Sequence, residues 1–199
     1  ASWFAGPNAA QAASHDEPSA WAKEVVHKAY VEGLVPSSLL SDYRKPITRV
    51  EMCRVIVLLY EKLAAEEAPK PVSNPFRDTK DDSVLRAYAL GIVKGTGADT
   101  FSPNAPITRE QIAVMLVNTL EKAGYGDKLT GEGAPVFADE ADIAGYAKSA
   151  VQKLSAAGIL QGSETKDGVL FQPKATASRE QMIVLAYRIA DRYAPLVVR

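Results

Sequence analysis

Pro106-Ile107-Thr108-Arg109-Glu110-Gln111 opens an apolar periodic stretch, and the chain repeats the phrase twice more, as Pro46-Ile47-Thr48-Arg49-Val50-Glu51 and Thr176-Ala177-Ser178-Arg179-Glu180-Gln181. The arginines stand 60 and 70 residues apart. Such recurrence marks a repeat architecture, in which one supersecondary unit is copied and neighbouring copies cover each other's apolar faces. A second shared phrase lies upstream of each: Gly33-Leu34-Val35, Gly91-Ile92-Val93 and Gly158-Ile159-Leu160. Two of the three intervening loops also share an aromatic-x-Pro step, Phe101-Ser102-Pro103 and Phe171-Gln172-Pro173.

Each copy reads as helix, loop, helix. In the first, Trp21, Val25, Val26, Ala29 and Tyr30 fall on one helical face. Gly33 then closes the helix where a left-handed residue is needed, and Gly91 and Gly158 do the same in the other copies. The second helix opens at Thr48, Thr108 or Ser178, followed three residues later by Glu51, Gln111 or Gln181. That is the capping-box pattern, in which the hydroxyl accepts from the third helical amide and the longer side chain reaches back to the cap amide. Helices are expected over about 48–66, 108–123 and 178–193, so the fold class is all-α. The chain divides into a tail or linker at 1–18 and repeats at 19–68, 74–124 and 135–193, separated by a Pro-rich stretch from Pro69 to Pro75 and a Gly-rich one from Gly124 to Gly133. The pattern leaves open whether the repeats stack as a solenoid or close around a pseudo-threefold axis.

Composition narrows the chemistry. The 199 residues carry a formal net charge of -1 and no Lys/Arg run, which argues against a nucleic-acid partner. No apolar run approaches the ~20 residues that span a bilayer. Cys53, the only cysteine, sits in an apolar stripe and reads as a buried hydrophobe. There are two histidines, His15 and His27, and no His/Cys cluster with metal spacing. Asp78-Thr79-Lys80-Asp81-Asp82 lacks the glycine and the closing glutamate of a calcium loop, and helix capping explains its acids better. No enzyme, cofactor or metal is expected. The tail from Ala1 to Ala13, rich in small residues, fits the start of a mature secreted chain, a linker or a truncation scar.

Ile-Thr-Arg-Glu-Gln before an apolar helix, Gly-Ile-Val-Lys-Gly after one and Phe-Ser-Pro between them resemble the S-layer homology domain. Phe76-Arg77-Asp78 and Phe137-Ala138-Asp139 match that family's Phe-x-Asp opening, and the likeness covers residues ~19–193. It implies a three-pronged unit of three repeats around a central helical bundle, attached noncovalently to an anionic, often pyruvylated, secondary cell-wall polysaccharide on a bacterial surface. It implies ligand contacts at Arg49, Arg109 and Arg179, with Thr48, Thr108, Ser178, Glu51, Gln111 and Gln181 completing the motif. The first repeat lacks Phe-x-Asp, and Glu110 and Glu180 stand where the family has alanine, so three equal sites are not expected. A monomer is expected.

The chemistry behind that implication is simple. A ketal carboxylate would meet unpaired amides at a helix N-terminus and a bidentate guanidinium. Arg109→Ala is then expected to weaken wall binding while leaving helicity and melting largely unchanged. Against this, an arginine at the first helical position can equally face solvent or bridge to a neighbouring helix. Trp21 and Tyr146 are candidates for sugar stacking, with core packing the favoured role for both. The competing function is a protein-binding or scaffold module whose grooves hold no glycan.

Overall fold

The computed structural model describes residues 16–195. Each repeat starts with a short helix, α1 (Lys23–Val31), α3 (Asp82–Ala89) or α5 (Lys148–Ala156), and ends with a longer one, α2 (Arg49–Ala64), α4 (Arg109–Lys122) or α6 (Arg179–Tyr193). The short helices stop at the expected glycines, with φ of +76° at Gly33 and Gly91 and +74° at Gly158. The residue after each glycine donates its amide back into the helix, as Leu34 N does to Ala29 O at 2.9 Å and Ile159 N to Leu154 O at 2.9 Å. This six-residue closure satisfies a terminal carbonyl that would otherwise be orphaned.

The long helices form the centre, with α2 against both α4 and α6. Met52, Val55, Ile56 and Leu59 of α2, Ile112, Leu116 and Leu120 of α4, and Met182, Leu185 and Ile189 of α6 are all buried. Each short helix packs on the long helix of a different repeat: α3 on α2, α5 on α4, and α1 on α6 near the far end of the chain. The last contact ties the first repeat to the third. No repeat covers its own apolar face, so the three depend on one another for burial.

Backbone bonds follow the same order. Arg49 N donates to Ala105 O at 3.0 Å, Arg109 N to Ala175 O at 2.9 Å, and Arg179 N to Lys45 O at 3.0 Å. Each long helix therefore begins against the loop of the next repeat in a cycle of one to two, two to three, three to one.

Three expectations need correction. The chain is mostly helical but not all-helical. The third repeat's longer loop folds into an antiparallel hairpin, β1 (Ser163–Thr165) with β2 (Gly168–Leu170), Ser163 opposite Leu170. Asp167-Gly168, with Gly168 at φ +109°, supplies the positive-φ turn that such a hairpin needs. In the first repeat Trp21 precedes α1 and is half-buried, while Tyr30 is 55% exposed; the buried face is Ala22, Val26 and Ala29. Tyr146, favoured for the core, is 62% exposed in a short turn, Gly145–Ala147. Cys53 is fully buried, and desolvation pushes its thiol up to about 12, as befits a core side chain. Asp81 caps α3 by accepting from Val84 N at 3.1 Å, in keeping with the capping role expected of that acidic stretch.

Candidate functional site: the repeat junctions

All three capping boxes form. Thr48 Oγ1 accepts from Glu51 N at 3.4 Å while Glu51 Oε1 accepts from Thr48 N at 3.0 Å. Thr108 and Gln111 repeat this at 3.4 and 3.0 Å, and Ser178 and Gln181 at 3.2 and 2.9 Å. The first two helical amides are engaged as well. Arg49 N and Val50 N go to Ala105 O and Pro103 O, Arg109 N and Glu110 N to Ala175 O and Pro173 O, and Arg179 N and Glu180 N to Lys45 O and Tyr43 O. The helix N-termini therefore do not offer the unpaired amides that the sequence argument gave to a ligand carboxylate. The neighbouring loop has taken them.

The three arginines turn inward and are only 7–8% exposed. Arg49 donates from Nε to Phe101 O at 2.8 Å and from Nη2 to Lys94 O at 2.9 Å, and its guanidinium lies 4.5 Å from the Phe101 ring centroid. Arg109 Nη1 donates to Gln172 Oε1 at 2.6 Å. Arg179 donates to Ser41 O at 3.1 Å and forms a buried ion pair with Glu51 Oε2. Burial lowers the affinity of Arg49 for its proton, and it brings Arg109 down to about 9. Every arginine thus reaches into the loop of the next repeat. Of the two bland alternatives, solvent and bridging, bridging describes them.

What they brace is a strained turn. Asp42, Ser102 and Gln172 occupy matched loop positions at φ of +50°, +57° and +59°. A left-handed conformation costs a non-glycine residue roughly 1–2 kcal/mol, and it persists only where the surroundings over-determine it. In the second and third repeats the Phe-x-Asp aspartate does this work. Asp78 accepts from Phe101 N at 2.9 Å and Ser102 N at 2.9 Å, and Asp139 from Phe171 N and Gln172 N, both at 2.8 Å. The Phe101 and Ser102 amides hold the Asp78 carboxyl below the usual carboxylate range.

Glu110 and Glu180 do not face the arginine beside them. Both are buried, at 1% and 2% exposure, and they reach across a junction. Glu110 accepts from Lys174 Nζ at 2.6 and 2.9 Å and from Ala144 N at 3.3 Å. Glu180 accepts from Ser19 N at 2.8 Å and Ser19 Oγ at 2.5 Å, and Arg44 Nη1 approaches the same hydroxyl at 3.4 Å. Sequence reasoning missed Lys174, Arg44, Ser19 and Gln172. A signal existed: the residue after each arginine and the residue five before the next arginine in the cycle run Glu110 with Lys174, Glu180 with Arg44, and Val50 with Asn104. Reading it required knowing that the repeats close on one another.

An open groove runs along the junction of the second and third repeats, lined by Asp139, Asp142, Gln172, Pro173, Lys174 and Ala175. Arg109 lies behind it, holding Gln172, and Lys174 is 63% exposed at its edge. Trp21 lies in the first repeat, apart from these lining residues. No group of His, Cys, Asp and Glu suited to a metal ion occurs among the described residues.

The profile of the S-layer homology domain matches residues 78–113 and 136–183, the segments that hold Asp78, Asp139 and the braced loops. Both segments are S-layer homology segments. Relatives that match most of this chain are longer proteins with different names. A surface-layer 125 kDa protein of Lysinibacillus sphaericus is 28% identical over 191 residues, covering 92% of this chain and 15% of that protein. An endoglucanase of Bacillus sp. (strain KSM-635) is 30% identical over 166 residues, 82% of this chain and 17% of the enzyme. A cellulosome-anchoring protein of Acetivibrio thermocellus is 29% identical over 157 residues, 74% and 33%. The chain thus spans about a sixth of the first two. No described helix is long and apolar enough to cross a membrane.

Proposed function

We propose that this chain is a non-catalytic anchoring module that holds a bacterial cell-wall polysaccharide noncovalently outside the cell. The observation that carries the reading is the company the segment keeps: it recurs as 15% of a surface-layer protein, 17% of an endoglucanase and 33% of an anchoring protein. Proteins with unrelated chemistry share a place of attachment more readily than a reaction. The three repeats close about a pseudo-threefold axis as three prongs, a reading supported by the cyclic order of helix contacts and backbone bonds.

The glycan lies in the grooves between prongs. Arg49, Arg109 and Arg179 act from beneath, fixing the loops whose side chains form the groove walls. The capping pairs of Thr48, Thr108 and Ser178 with Glu51, Gln111 and Gln181 fix where each long helix begins. At the junction of the second and third repeats, Lys174 and Gln172 meet the ligand, and Lys174 receives its carboxylate, such as a pyruvate ketal. The strained conformation of Gln172 supports this, because backbone strain maintained in a loop is a mark of a working site. One charge-assisted contact is weak, worth ~1.5–3 kcal/mol net, so attachment depends on several contacts along one polymer.

Co-sedimentation with purified bacterial walls tests the reading. The protein is expected to pellet with intact walls and to stay in solution once the ketals are removed. Lys174→Ala should weaken pelleting several-fold and also lower the melting temperature, since it leaves the buried Glu110 carboxylate without its cation. Pelleting is therefore compared well below both melting temperatures, beside Glu110→Gln with Lys174→Ala, which removes the stranded charge. Failure to pellet, with capture of a protein partner instead, would establish the scaffold alternative.

A further inference from the structure

Tyr30, Tyr88 and Ser155 hold one position, three residues before Gly33, Gly91 and Gly158. In the second repeat Tyr88 stands edge-on to Phe76, ring centroids 5.1 Å apart and planes at 75°. Beside it Arg77 pairs with Asp99 at 3.3 Å. The third repeat keeps the phenylalanine as Phe137, but Ser155 replaces the tyrosine, Ala138 the arginine and Val169 the aspartate. What was a lid has become an open cleft, lined by Val136, Phe137, Ser155, Gln161, Glu164 and Val169 among others. Val136 is 78% exposed and Val169 37%. Ser155 Oγ is buried in this cleft without a hydrogen-bond partner, which costs free energy unless something supplies one.

The first repeat has the opposite defect. It has the ring, Tyr30, but no Phe-x-Asp to seat it, so Tyr30 and its neighbour Val31 stand 55% and 57% exposed. The first repeat carries a tyrosine without its phenylalanine, and the third a phenylalanine without its tyrosine. We propose that copies of this chain associate head to tail, Tyr30 of one copy entering the third-repeat cleft of the next. The ring then meets Phe137 as Tyr88 meets Phe76, and Val31 covers exposed valine. Glu164 is the charged group among the lining residues, and Lys23 is exposed two turns along α1 from Tyr30, so charge favours the same pairing.

The contact is heterologous, so it propagates from copy to copy, as a ring where its rotation closes and as an open row where it does not. A ring and its flanking valines cover far less than the ~1,200 Å² of a stable interface. The protein is therefore monomeric when dilute and associates when concentrated, a condition met by copies crowded on one surface. The proposal is independent of the glycan reading.

Sedimentation of the whole chain tests it. Wild-type mass should rise with concentration between ~10 µM and ~1 mM, the range of a weak contact. Tyr30→Ser, which keeps the cleft, and Ser155→Tyr, which fills it, should each stay monomeric. An equimolar mixture should recover association but stop at heterodimers, because only one knob and one free cleft remain. Val169→Asp, restoring the residue type of the second repeat, gives a second blocked cleft should Ser155→Tyr fold poorly. A wild type that is monomeric at ~1 mM, variants that associate like the wild type, or a mixture that recovers nothing would each overturn the proposal.

Discussion

Glu180→Ala tests the closure of the first repeat onto the third. The carboxylate is 2% exposed and accepts both the amide and the hydroxyl of Ser19, itself 8% exposed. Two hydrogen bonds to a charged group contribute ~1.5–3 kcal/mol each, and removing the acceptor strands two buried donors. Some of that loss is recovered when the segment before α1 loosens and Ser19 hydrates, leaving a net cost of about 3 kcal/mol. For a domain near 200 residues this lowers the melting temperature by about 6–12 °C. Glu180→Gln keeps one acceptor oxygen and should lose about half as much. The assay is thermal melting followed by circular dichroism, together with amide exchange over Lys23–Val31. Since α1 packs on α6, its amides should lose protection before those of α2 or α4, as expected of a local unit cut loose. A melting temperature within ~1 °C of wild type, or unchanged protection in α1, would refute the claim that Glu180 closes the molecule.

Arg109→Ala should lower stability by about 2–3 kcal/mol, because it empties a buried site and leaves Gln172 without its donor; urea unfolding measures this, and an unchanged midpoint would restore the solvent-facing reading. Asp78→Ala tests the braced loop through pH. The folded-state carboxyl titrates below its ordinary value, so its stabilisation is present above the unfolded value of ~3.9 and fades as pH falls through the folded one. Wild type and variant should therefore differ in melting temperature near neutral pH and converge under acid; a constant gap from pH ~6 to ~2 would be inconsistent with that sign.

Much of the fold was legible because its signals are local. Capping boxes, left-handed glycines and helical stripes are decided within a few residues, and Thr48, Thr108 and Ser178 cap the helices where the spacing indicated. The hairpin at Ser163–Leu170 was missed because a three-residue strand carries too little pattern to read. The site was harder. An arginine at the first helical position has the same local sequence whether it faces solvent or a neighbouring loop. Only the tertiary arrangement buries Arg49 against Phe101 and Arg179 against Glu51. Tyr146 shows the converse: its aromatic character suggested the core, yet the Gly145–Ala147 turn holds it outside.

The three junctions differ in a way that stability alone does not explain. A buried carboxylate with a cation is a poor source of net stability, since desolvation offsets most of the attraction. The junction of the first and second repeats does without one, setting Val50 against Asn104. The other two place Glu110 with Lys174, and Glu180 with Ser19 and Arg44. Were the repeats to pair out of order, a buried glutamate would meet Asn104 and its charge would be stranded. Such mismatches penalise the wrong partner more than the right pairing rewards the correct one. The invariant arginines brace the loops; the residues that vary around them, Lys174 against Asn104 and Gln172 against Ser102, specify which junction is which and which groove presents a charge.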